Sequence, residues 1–279
     1  MPELEHSSLA TASDRPSMAR PRRAVGAGLC ILALGACAIV PLRPEDPTRS
    51  GVLVAAAAVV IGAAVLLRSA EAIRTSLFIG PLLGCFAIGA LGDLPPAVTT
   101  VLVSVLPLTC LLLVGRSAAL HPAAHWLRPG VVTREAPWLG LATVLLSGAA
   151  LTVWALVVRP EPAEYLRELQ RLPLWLAILG IAGFAVVNPV WEELLFRGVL
   201  LSELAAVWGA RAGVVLQAAL FGVAHFAGFP SGVVGMIMAG SWGFALGVMR
   251  LRSGGVLIPY LVHVAANLVI GTVAVLVLR

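Results

Sequence analysis

Nine apolar runs, each close to the length of a helix that crosses a lipid bilayer, follow one another along this chain. About 20 apolar residues in an α-helix span the hydrocarbon core of a bilayer. A soluble core of this size would need far more polar surface than the sequence provides. The chain is therefore predicted to be all-α, a polytopic transmembrane helical bundle of eight or nine spans, because the first two runs could instead form a partly re-entrant pair. The predicted spans cover residues 24–42, 51–67, 75–92, 98–115, 138–158, 174–200, 212–229, 232–249 and 256–278.

Composition supports this prediction and narrows the class of partner. Hydrophobic residues make up 59% of the chain and the mean hydropathy is +0.98, whereas soluble domains are about 45–50% apolar. All 19 basic residues are arginine, which together with the abundant Ala, Gly and Val indicates a GC-rich coding bias rather than a nucleic-acid surface. The four cysteines fall within predicted spans and form no CxxC pair, so we expect small buried residues and neither disulfides nor a cysteine metal site. They are Cys30, Cys37, Cys85 and Cys110.

The arginines also assign a side of the membrane to each segment. If residues 1–23 form a disordered cytoplasmic tail, the inner segments hold 13 of the 19 arginines and the outer segments hold 6. Cytoplasmic loops carry the excess of basic residues in membrane proteins. We therefore predict a multi-pass protein of the inner (cytoplasmic) membrane with a cytoplasmic N-terminus. This topology places His225 toward the outer side, which fits a common site with span 174–200 only if a helix is broken or is longer than drawn, or if a span is miscounted.

Ionisable side chains concentrate in the last third of the chain, at residues 174–279, which we separate from N-terminal helices at 24–173. An ionisable side chain at the bilayer centre costs about 2.5–3.5 kcal/mol on insertion scales, so several together indicate a functional polar site. The sixth run ends in NPVWEELLFRG, where Glu193 and Arg197 have the i, i+4 spacing of a helical ion pair. Asn188 and Pro189 should interrupt the helical hydrogen bonds just before these acids. Glu192 has no partner at the ion-pair spacing, so we predict a structural Glu193–Arg197 pair and a Glu192 carboxylate that is free to act as a base.

Two further motifs place imidazole and amide groups inside apolar spans. The seventh run carries Phe221 and His225 on one helical face, and the ninth carries His263 and Asn267 one turn apart. Glu192 and His225 could deprotonate a water, while His263 and Asn267 stabilise an oxyanion. Alternatively, the histidines and a glutamate could bind zinc. The chain has no HExxH motif and its serines lack a G-x-S-x-G context, which disfavours the common zinc and serine hydrolase patterns.

The ordered motifs EExxxR, FxxxH and HxxxN resemble those of the CAAX protease and bacteriocin-processing (CPBP, Abi-type) family of intramembrane endopeptidases. The resemblance covers about residues 174–279, which would form the catalytic transmembrane core. It implies a polar cavity that is open to the cytoplasmic side and to lipid, and hydrolysis of a peptide bond by a glutamate-activated water. By motif position, Glu192 would be the base and His225 would position the water. His263 and Asn267 would stabilise the oxyanion.

The same resemblance sets the expected partners and cofactors. The substrate would be a membrane-associated or C-terminally tagged protein or peptide within the lipid bilayer, and no nucleic acid is expected. We favour a mechanism without a cofactor, with zinc as the alternative, because Asn267 is a poor zinc ligand but a good amide donor. A second hypothesis is a non-enzymatic binding or immunity protein that uses the same polar cavity to hold a peptide.

Overall fold

Long helices account for nearly all of the structure, a computed structural model that describes residues 19–43, 45–114, 125–159 and 171–276. No strand occurs within these ranges. Seven helical stretches among them are long and apolar enough to cross a membrane, and a shorter apolar helix covers Leu257–Val273. The predicted all-α membrane bundle is thus confirmed. The helices are α1 (Ala19–Ile39), α2 (Pro47–Leu66), α3 (Ala70–Leu91), α4 (Pro96–Val114), α5 (Ala136–Val158), α6 (Leu174–Glu193), α7 (Leu201–Trp208), α8 (Ala210–Ala224), α9 (Gly232–Ser253) and α10 (Leu257–Leu276).

Each predicted span falls on a helix, and most helices begin two to five residues earlier than predicted. The difference arises because polar first turns belong to the helices although they lie outside the apolar runs. Asp46 caps α2 by accepting a hydrogen bond from the Arg49 N–H at 2.9 Å, and Ser69 caps α3 through the Ala72 N–H at 3.2 Å. The predicted tail lies mostly outside the described residues, and α1 already begins at Ala19.

The sixth span differs most from its prediction. It does not end at residue 200 but continues through a π-helical segment, Leu194–Leu200, into α7, so that one stretch of 35 residues runs from Leu174 to Trp208. Pro189 lies inside α6, and the hydrogen-bond pattern changes only after Glu193. Pro189 has no N–H and so removes one backbone hydrogen bond just before the acids, as expected, but the helix continues through it. Glu192 lies near the middle of this longer stretch and not near its end. The extra length therefore brings Glu192 toward the depth at which the topology places His225.

The largest buried cluster packs between α1, α3, the π-helical segment and α8. Its most deeply buried members include Leu34, Phe78, Leu195, Phe196 and Phe221. The opposite faces of several helices expose large apolar side chains, such as Val59 at 72% and Leu146 at 73%. This arrangement is expected where lipid rather than water covers the outside of a bundle.

Close helix contacts are made at glycines in the C-terminal half. Gly222 of α8 lies against the backbone of α9, where an added Cβ would come within 2.6 Å of the Met236 carbonyl oxygen. Gly243 of α9 leaves room for the ring of Phe221, and the Gln217 side chain of α8 donates to the Gly243 carbonyl at 2.9 Å. Small residues of this kind allow helix backbones to approach closely in membranes. These contacts fix Phe221, which in turn lies against the polar residues described next.

Candidate active site

Glu192 accepts a hydrogen bond at one carboxylate oxygen, whereas the other accepts none from the described residues. The Asn188 side chain, one turn earlier on α6, donates from Nδ2 to Glu192 Oε1 at 2.8 Å. The Trp191 indole N–H donates to Asn188 Oδ1 at 3.1 Å, which fixes the orientation of the amide. Glu192 Oε2 is buried and has no hydrogen bond within the described part of the chain. The expectation that Glu192 lacks a helical partner was therefore incomplete, because it considered only the residue four positions ahead.

Glu193 and Arg197 lie together as their spacing predicts. Arg197 Nη1 is 3.0 Å from Glu193 Oε1, and the arginine is completely buried in the π-helical segment. The guanidinium nitrogens do not have hydrogen-bond alignment with any described residue. The Arg197 Cζ atom instead lies 4.5 Å from the centre of the Phe221 ring, where a cation is attracted by the ring face.

His263 lies between the two glutamates, which the sequence analysis did not predict. Its Nδ1 is 2.7 Å from Glu193 Oε1, and its Nε2 is 3.6 Å from Glu192 Oε2. The first distance is a short hydrogen bond and the second is too long for one. Glu193 is therefore more than the partner of Arg197, because it also orients the imidazole of α10.

His225 and Asn267 are the other two candidate catalytic residues. His225 begins a short 3₁₀ turn, His225–Ala227, at the end of α8, and is half-buried. Its Nδ1 donates to the Phe221 carbonyl oxygen at 2.9 Å, because a carbonyl can only accept. With Nδ1 as the donor, Nε2 is the acceptor of the uncharged tautomer. Asn267 is buried on α10, one turn from His263, and its Nδ2 donor has no partner among the described residues.

These side chains share one cavity of about 770 Å³. Glu192, His225, His263 and Asn267 all line it, together with the aromatic rings of Phe221 and Trp242. Glu193 does not line this cavity and lies behind His263. The structure therefore brings together the four residues predicted to be catalytic and places the predicted ion pair behind them.

Two polar contributions were missed by sequence reasoning. Asn188 was considered only as a helix interruption, although its i−4 spacing from Glu192 is visible in the sequence. Glu203 lies between the predicted spans 174–200 and 212–229, yet it is buried on α7 and binds Arg74 at 2.6 and 2.9 Å. The Trp126 indole N–H donates to the same carboxylate at 2.9 Å. This second buried ion pair links α3 to α7 outside the cavity and has a structural role.

The donor groups do not provide a complete zinc site. Catalytic zinc takes three protein ligands plus water, and the described residues contain no group of three or more His, Cys, Asp or Glu side chains placed to hold a metal ion. Both imidazoles are oriented from behind, by Glu193 and by the Phe221 carbonyl, as metal-binding histidines also are. Within the described ranges, however, no third ligand is placed beside them. We therefore derive no catalytic step through a metal.

Comparison with known proteins agrees with the motif resemblance. Residues 173–269 match the family model described as type II CAAX prenyl endopeptidase Rce1-like. An uncharacterised 24.3 kDa protein of Escherichia coli is 29% identical over 154 residues, which cover 51% of this chain and 68% of that protein. No solved structure matches significantly. The match at residues 173–269 contains all three motifs, with Glu192, His225, His263 and Asn267, and over this segment the chain is similar to the CAAX protease (CPBP) family of intramembrane proteases.

Proposed function

We propose that this protein is an intramembrane endopeptidase in which Glu192 activates a water to hydrolyse a peptide bond. The observation that carries the proposal is the unsatisfied carboxylate oxygen of Glu192 in a cavity also lined by His225, His263 and Asn267. A buried acceptor without a partner costs free energy, so its presence is expected where a substrate or water completes the site.

Water activation would use the two acceptors of the cavity. Glu192 Oε2 and His225 Nε2 can each accept one hydrogen of the same water, which leaves its lone pair free to attack a carbonyl carbon. Glu192 takes the proton as the carbon–oxygen bond forms. The same proton then passes to the leaving amine nitrogen as the carbon–nitrogen bond breaks, so the elements of water are divided between the two products.

The developing oxyanion would be stabilised by the two α10 side chains. Asn267 Nδ2 is a buried donor without a partner. His263 would supply the second donor from Nε2, which lies 3.6 Å from Glu192 Oε2 and makes no short bond to it.

The substrate class follows the family and the membrane setting. CAAX-type proteases act on membrane-associated peptides, and we propose a membrane-associated or exported protein as the substrate of this chain, which functions as a multi-pass protein of the inner membrane. The test compares protein termini in the membrane and secreted fractions of cells that carry the wild-type chain or Glu192→Gln. New termini that require wild-type protein are expected. Identical sets of termini at equal protein levels would contradict proteolysis.

A further inference from the structure

The cavity opens at one end of the bundle, and the contacts between helices identify which end. Four segments meet at the end where α1 begins, which we call the proximal end; they are 67–74, 125–135, 208–211 and 253–257. Trp208 lies against Gly28 of α1, and the Val256 N–H donates to the Arg128 carbonyl at 2.8 Å. The loops 40–46, 92–95 and 228–231 follow α1, α3 and the turn after α8, and they form the opposite, distal end.

Among the described residues, the loop residues that line the cavity all belong to the distal end. They include Pro41 and Leu42 after α1, Asp93 and Leu94 after α3, and the segment Gly228–Pro230 after α8. None of the four proximal segments contributes a lining residue. Glu192 lies near the middle of the stretch Leu174–Trp208, and His263 lies in the second turn of α10, nearer the proximal end. A substrate would therefore reach Glu192 from the distal end.

Arginines mark the proximal end as the cytoplasmic one. Among the described residues, exposed arginines at the proximal end are Arg22, Arg23, Arg68, Arg128, Arg134, Arg211 and Arg252, and those at the distal end are Arg43, Arg49, Arg159 and Arg171. The buried Arg74 and Arg250 also lie at the proximal end. The basic excess indicates the cytoplasmic side of a membrane protein. An N-terminus in the cytoplasm and a cavity open to the cytoplasm are therefore incompatible expectations for this fold.

We propose that the cavity opens to the extracytoplasmic side of the membrane, and that the substrate is an exported protein whose scissile bond enters from that side. The cavity walls are mainly apolar, with Phe86, Phe184 and Phe229 among them, and suit a segment that is itself membrane-embedded. The described lining residues include the carboxyl groups of Asp93 and Glu192 and no arginine. This charge favours a neutral or basic flank beside the apolar segment and disfavours an acidic one. The substrate part of this inference rests on the proposed proteolysis, whereas the orientation does not.

Orientation is tested with single cysteines and a membrane-impermeant maleimide in intact spheroplasts. The background has all four natural cysteines replaced by alanine. Ala97→Cys reports the distal end and Val132→Cys the proximal end, and both positions are exposed. We expect labelling of Ala97→Cys in spheroplasts and of Val132→Cys only after lysis. The reverse pattern overturns the proposal, and Thr48→Cys, also exposed at the distal end, gives the answer if Ala97→Cys fails to react after lysis.

A second measurement separates the orientation from the proteolysis. Fragments that depend on the wild-type chain and are lost in Glu192→Gln are sorted by whether their new terminus lies in an exported or a cytoplasmic segment. Exported segments are expected. Cytoplasmic termini overturn the substrate assignment, even with the expected labelling. Expected labelling with no fragments at all leaves the orientation standing and rejects the proposed function together with the substrate class.

Discussion

His263 lies between Glu192 and Glu193, with Nδ1 2.7 Å from Glu193 Oε1 and Nε2 3.6 Å from Glu192 Oε2. The two glutamates are adjacent in the sequence, yet only Glu192 reaches the cavity. The imidazole therefore connects the buried Glu193–Arg197 pair to the carboxylate that we assign as the base. This contact gives the second acid of the EE pair a role that the helix spacing alone does not show.

The oxyanion donors can be tested at Asn267. Asn267→Ala removes the partnerless Nδ2 donor and is expected to lower kcat by about 10²–10³, the range for loss of one oxyanion-hole donor. The KM should change little, because the donor acts mainly on charge that develops in the transition state. Asn267→Asp should lower kcat further, because it places a negative charge beside the oxyanion. Equal kcat values for wild type and Asn267→Ala would remove Asn267 from the mechanism.

Asn188 should act by positioning Glu192. Asn188→Ala removes the 2.8 Å hydrogen bond to Glu192 Oε1. Bonds to charged groups contribute about 1.5–3 kcal/mol, so we expect kcat to fall by about 10–100-fold. Trp191→Phe removes only the bond that orients the amide and should have a smaller effect. The measurement is kcat of both variants at matched protein levels. A larger loss of kcat in Trp191→Phe than in Asn188→Ala would contradict the positioning role of Asn188.

The buried arginine pairs should stabilise the fold far more than a surface pair does. Arg74→Ala leaves the Glu203 carboxylate buried without its cation, and such a loss costs about 3–5 kcal/mol of unfolding free energy. Arg252→Ala is the matched control, since Arg252 and Glu135 are exposed and 3.5 Å apart. An exposed pair of this kind contributes about 0–1 kcal/mol. Unfolding in detergent micelles measures both variants, and similar losses for the two would be inconsistent with this difference.

Metal removal tests the choice between the two hydrolytic mechanisms. Because the described residues hold no set of three metal ligands, we expect the purified active protein to retain its rate after exhaustive chelation. Elemental analysis should find no stoichiometric zinc. Loss of activity on chelation, with recovery on return of zinc, would replace the metal-free mechanism but leave the protease assignment in place.

The helices and the residues of the candidate site could be predicted from the sequence, but the contacts between residues on different helices could not. Apolar runs located every span because lipid exposure selects apolar residues over the whole length of a helix. The helix period predicted the Glu193–Arg197 pair, since both residues lie on one turn. It could not predict the His263 contact, because that depends on how α10 packs against α6. Glu203 lies outside the predicted spans because these follow apolar runs, and the polar Ser202 and Glu203 end the run although the helix continues to Trp208.

The most direct test of the central claim compares Glu192→Gln with Glu203→Gln. Both substitutions replace a buried carboxylate on the same 35-residue helical stretch, but only Glu192 lines the cavity. The measurement is the cleavage rate of purified protein in lipid, on a substrate found through the comparison of termini, at equal amounts of folded enzyme. We predict that Glu192→Gln lowers the rate by at least about 10²-fold, while Glu203→Gln lowers stability and retains most of the rate. A fully active Glu192→Gln protein would contradict the assignment of Glu192 as the base.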